Sequence, residues 1–153
     1  MATRTKPPPE KLYDEDFYVW AERQAELLRA GRLDKLDLEN LILEVEGLAD
    51  VKRSAVLNNA RVVIEHLLKL QHSPAQDPRG GWEDSVFEHR SRLEIDLTPR
   101  LRQILADELA RVYHLARRNS EASLRRHGET AAADALPETC PYTLDQITGD
   151  WLP

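Results

Sequence analysis

Six side chains that can donate, accept or ligate flank one proline- and glycine-marked break in the chain. His66 and Lys69 precede it; Ser85, Glu88, His89 and Arg90 follow it. A chain that reverses about residue 77 sets His66 level with Glu88 and His89, and Lys69 near Ser85. Two imidazoles, a carboxylate, an ammonium and a guanidinium then converge between two helices. Metal ligation or catalysis there requires neutral imidazoles held by oriented partners. The same residues equally suit buried hydrogen bonds and an ion pair, with Glu88 or another carboxylate balancing Arg90, that fix helix register. The structural reading is preferred, and no catalytic residue is assigned.

Glu44 and Glu46 form a second constellation, a carboxylate pair of the kind that holds metal in helical bundles. Geometry separates them from His66. In a continuous helix Glu44 and His66 stand 22 residues apart, about 33 Å by the helical rise. In a chain that reverses near residue 51, Glu44 lies level with Leu57 or Asn58 instead. The Glu-x-x-His ligand pair is absent. No metal and no cofactor are therefore expected. Cys140, the single cysteine, sits in a proline-flanked loop with no histidine nearby in sequence and reads as a structural thiol. There is no Walker loop, dinucleotide glycine fingerprint, serine elbow or His-Glu-x-x-His helix.

The elements that must position these groups are helices. Period-3.6 patterning runs from residue 14 to residue 127, and no alternating strand interrupts it. Asp14 is the expected start of a first helix with Phe17, Tyr18, Ala21, Ala25 and Leu28 as its apolar stripe, and Gly31 closes it. Asp37 is the next N-cap. After it Leu41, Leu48, Ala55 and Val62 recur every seven residues, as do Ile42, Ala49, Val56, Val63 and Leu70. The phase never breaks, so one long helix, bent or straight, is expected over 38–71, although two helices in phase would read alike. Gly47 is its one weak point.

Ser73 to Gly81 reads as a loop and makes a helical hairpin of its neighbours. A helix follows from Trp82, and Thr98-Pro99 ends it and caps the next, proline standing at the first helical position. Leu101, Leu105, Leu109, Val112 and Ala116 carry that last long helix toward Gly128. The segment 129–153 changes to a proline-rich tail with one short turn, capped by Thr143 and Gln146 in capping-box spacing. Its apolar residues suit docking on the bundle. The expected fold is thus an all-α antiparallel helical bundle: a disordered tail over 1–11, then one domain over 12–153.

Length and charge bound the rest. A chain of 153 residues suits one domain. Its net charge of −6 disfavours a polyanion as partner. Residues 1–50 hold seven basic and twelve acidic side chains and are the most acidic third. Arg117-Arg118 and Arg125-Arg126 fall near a helix end, where cations complement the helix dipole. No stretch nears the ~20 apolar residues of a membrane span, and the amino terminus lacks the apolar core of a secretory signal. A cytoplasmic location is expected.

The segments Asp16-Phe17-Tyr18-Val19-Trp20-Ala21, Leu36 through Glu46, and His66-Leu67-Leu68-Lys69-Leu70 carry a family resemblance. So do Trp82, Ser85 and Arg90, and the closing Pro137 with Cys140-Pro141. Over roughly residues 12 to 153 the chain resembles the domain of unknown function 29 family. The resemblance implies a bacterial, helical protein and brings no established activity. Leu43 stands where the family pattern carries an acid, which leaves Glu44 and Glu46 as a pair.

Three functions fit these observations. The first is an interaction or structural module acting by self-association or by binding another protein. Its motive is apolar content, including Trp20, Tyr113 and Trp151, beyond what one core can cover. The second is an enzyme or metal-binding protein using the hairpin cluster. The third, a regulator that contacts nucleic acid, is disfavoured by the charge.

Overall fold

The computed structural model describes residues 9–153, and every regular element among them is helical. The helices are α1 (Pro9–Glu15), α2 (Phe17–Arg29), α3 (Leu38–His72), α4 (Arg79–Asp96), α5 (Pro99–Arg126), α6 (Thr130–Asp134) and α7 (Leu144–Thr148), with a 3-10 turn at Leu33–Lys35. The expected tail over 1–11 falls outside the described residues as far as Pro8, whereas Pro9, Glu10 and Lys11 stand in α1.

Local signals explain most helix ends. α2 starts at Phe17, not at Asp14, because Asp16 is the residue whose carboxylate accepts the Val19 N–H, at 3.1 Å. Gly31 closes α2 at φ +67°, a left-handed conformation that costs a Cβ-bearing residue strain. Asp37 caps α3 by accepting the Asn40 N–H, at 3.4 Å. α3 is one continuous helix of 35 residues, Gly47 included. Thr98 and Pro99 open α5, and the Thr143–Gln146 capping box opens α7, both as the spacing predicts.

The hairpin loop is shorter than its sequence suggests. It spans 73–78, and α4 begins at Arg79, so Gly80 and Gly81 lie in the first helical turn. Pro78 explains this, since a proline at a helix start forfeits no intrahelical bond. α6 is also additional; three alanines, the best helix formers, make it.

The chain divides into two compact units, one ending at Asp50 and one spanning Val51–Pro153. The division has a physical basis: the main core cluster draws all its members from Val56 onward. Among the described residues of the first unit, Leu12 and Trp20 are the buried apolar side chains. They sit with a polar network: the Trp20 indole donates to Asp37 at 2.9 Å, Asn40 donates to Asp37 at 2.8 Å, and the Asp37 N–H donates to Gln24 at 2.9 Å. Burial raises the Asp37 carboxyl, but the hydrogen bonds from Asn40 and Trp20 outweigh it and the net shift is downward. Tyr13 packs edge-on against Trp20 at 4.9 Å and donates to Glu44 at 2.6 Å.

In the second unit the later turns of α3 supply the core's spine, with Val56, Ala60, Val63, Ile64 and Leu67 buried against Val86 and Leu93 of α4 and Leu105, Val112 and Ala116 of α5. The C-terminal segment contributes Leu136, Tyr142 and Ile147 to the same core. Tyr113 donates to the Pro137 carbonyl at 2.6 Å, and Tyr142 to Gln71 at 2.8 Å.

Candidate functional site

Helix register decides which of the six hairpin side chains meet. His89 Nδ1 lies 2.7 Å from the Asn59 amide oxygen, so α3 and α4 pair about the midpoint of 59 and 89, residue 74 and not 77. The helical glycine pair causes the difference, since it starts α4 earlier. His66 is thereby level with Trp82, and seven residues, about 10 Å of helix, separate that level from His89. His66 stays within electrostatic reach of Lys69 and His89, but Glu88 and Arg90 are engaged elsewhere and the six do not form one cluster.

Each member has its own surroundings. Glu88 is exposed and pairs with Arg92 on the surface of α4. Arg90 has no ion pair with Glu88. Its Nε donates to the Ile147 carbonyl at 3.0 Å, and its Nη2 donates to those of Gln146 at 2.6 Å and Trp151 at 2.7 Å. Burial lowers its pKa, and the nearby Asp150 carboxylate acts in the opposite direction. Arg90 is thus a clamp on the C-terminal segment. Ser85 is half-buried. Burial, with the Lys69 and His89 charges adding to it, pushes His66 down to about 4, and its shielded Nδ1 has no hydrogen-bond partner among the described residues. A neutral ring is the consequence. Glu44 is held by Tyr13, and Glu46 is exposed. Among the described residues no three His, Cys, Asp or Glu side chains are grouped to hold a metal ion. Burial pushes the Cys140 thiol up, which keeps it protonated.

Two of the six, Lys69 and Arg90, line cavities. A space of about 480 Å³ lies among the end of α3, the 73–78 loop, the start of α4 and the end of α5. Lys69, Trp82, Ser123, His127 and Glu129 supply its polar groups; Ala75, Pro78 and Leu124 supply apolar wall. Burial lowers the Lys69 pKa, with Glu65 raising it and Arg126 lowering it. His127 Nδ1 lies 2.8 Å from the Ser123 carbonyl, so Nδ1 carries the proton and Nε2 is left free. Ser123 and Glu129 escaped the sequence reading, because more than fifty residues separate them from Lys69 and no spacing rule joins them. A second space, about 610 Å³, lies between α4 and the C-terminal segment beside Arg90.

A family profile described as domain of unknown function DUF29 matches residues 12–152. The chain belongs to the DUF29 family. No curated protein and no solved structure matches it. The DUF29 description carries no activity, so function has to rest on this chain's own geometry.

Proposed function

We propose that the protein works as a self-associating module, and that a second copy of the chain covers the apolar face of residues 17–48. The observation that carries this reading is a single stripe with two fates. Within the heptad series of α3 that runs Ile42, Ala49, Val56, Val63, the later members Val56 and Val63 are 1% and 0% exposed, whereas Ile42 is 56% exposed. Helices of the second unit cover the later turns. The earlier turns keep the same pattern uncovered, and Leu38, Val45 and Leu48 repeat there in the spacing of a helix-pair seam.

The area is adequate. Ten large apolar side chains between Phe17 and Leu48 are exposed. At about 100 Å² each they leave on the order of 1,000 Å² in water across the helices of this segment, of the same order as the ~800 Å² per partner of a stable interface. Two buried apolar side chains are also a meagre core for some forty residues. A face with so little beneath it needs a partner that is always at hand, and another copy of the chain is always at hand. Trp20 and Tyr113, taken from sequence as surplus, are both buried and contribute nothing to this face.

Val45→Glu with Leu48→Glu tests the reading in a sedimentation experiment. The charges leave each helix intact but place carboxylates in the seam. Dimers in the wild type and monomers in the variant support it. A wild type that stays monomeric, or a variant that associates as tightly as the wild type, overturns it. An enzymatic reading has one observation in its favour, the cavity beside Lys69.

A further inference from the structure

The cavity beside Lys69 is lined by two opposite charges, neither of which makes a direct ion pair or side-chain hydrogen bond among the described residues. Lys69 is half-buried, yet it makes no ion pair and no side-chain hydrogen bond among the described residues, whereas Arg61, Arg92, Arg117 and Arg125 all find carboxylates. The Glu129 side chain accepts no hydrogen bond among the described residues either, and its Oε2 is shielded from solvent without a donor. A shielded carboxylate oxygen without a donor is costly, and native chains leave few such groups. Both residues line the same space of about 480 Å³, a volume within the range of small-molecule sites.

We propose that this cavity binds a small zwitterion of the amino-acid class, its carboxylate on Lys69 and its ammonium on Glu129. The lining suits both ends. An anion alone leaves Glu129 without a donor, and an amine alone leaves Lys69 without an acceptor; a molecule carrying both charges answers both. Trp82 and Leu124 supply an apolar wall for the rest of the molecule. Ser123 and His127 line the same wall; the Ser123 hydroxyl suits either end, and the unprotonated Nε2 of His127 suits the ammonium as an acceptor. The site lies wholly within Val51–Pro153, so it stands whether or not the chain self-associates.

The test uses the full chain and the twenty standard amino acids as probes, each titrated to about 20 mM while the Trp82 indole resonance is followed by NMR, with Trp82→Phe identifying that signal. At least one amino acid is expected to shift it saturably. The relatives of that amino acid lacking the amino group or the carboxylate are expected to bind about tenfold weaker or worse. Lys69→Met should abolish the preference for the carboxylate-bearing probe, and Glu129→Gln the preference for the amine-bearing one. Thermal melts give a second reading: removing a charge kept for a ligand leaves stability unchanged or raises it. Saturation by none of the twenty, equal binding of the singly charged relatives, or a marked loss of stability in Lys69→Met each overturns the proposal.

Discussion

Replacing Arg90 with alanine removes three hydrogen bonds at once from the junction of α4 and the C-terminal segment. Their acceptors are the carbonyls of Gln146, Ile147 and Trp151. A hydrogen bond to a charged donor contributes ~1.5–3 kcal/mol, but the three are not additive here. Nη2 serves two carbonyls, and the Trp151 bond lies in solvent, where screening leaves little. Counting the Gln146 and Ile147 bonds at the lower end of the range gives a loss of about 3 kcal/mol. For a unit of this size that lowers Tm by roughly 12 °C. No buried carboxylate is stranded, because the freed carbonyls are neutral and can turn to water. The damage should therefore concentrate in 144–153. A thermal melt reads the total loss, and amide exchange in α7 reads its location. Arg90→Lys should recover less than half, since one ammonium cannot reproduce the planar fork. A melt of Arg90→Ala within about 2 °C of wild type refutes the clamp.

Other outcomes follow from the same geometry. The His66 pKa is pushed below its ordinary value to about 4, so the stability it contributes is complete above pH ~6.5 and is lost as pH falls toward 4; His66→Gln should flatten that part of an acid titration of Tm. Trp20→Phe removes the indole donor to buried Asp37 and should cost about 1–3 kcal/mol, visible as faster amide exchange between residues 17 and 41. Gly31 holds φ +67°, so Gly31→Ala should destabilise α2 by about 1 kcal/mol, read from the helical signal during a melt. With twelve acidic against seven basic residues in its first fifty, the chain repels its own copy around the proposed seam, so added salt should tighten self-association.

Capping chemistry was the most legible part of the fold. Thr98-Pro99, Thr143 with Gln146, Asp37 and Gly31 each mark a boundary by a local rule, and each boundary stands at the residue that obeys it. The unbroken heptad phase likewise predicts α3 as one helix. Register was not legible. Gly80-Gly81 has turn composition but sits in a helix, and the displaced pivot separates His66 from Glu88 and His89. Arg90 illustrates a different limit: its acceptors are backbone carbonyls more than fifty residues away, and any residue type supplies a carbonyl. Glu129 meets Lys69's cavity for a comparable reason, through the packing of α5's end against the hairpin. The apolar stripe was visible in the heptads, but not that its early turns, Leu38 to Leu48, go uncovered while its later ones are buried.

Sedimentation equilibrium of the unmodified chain, across loading concentrations and at two ionic strengths, tests the central claim most directly. Self-association through 17–48 predicts a concentration-dependent species of twice the 17.5 kDa chain mass, more abundant at the higher salt. A single 17.5 kDa species at every concentration and both ionic strengths contradicts it.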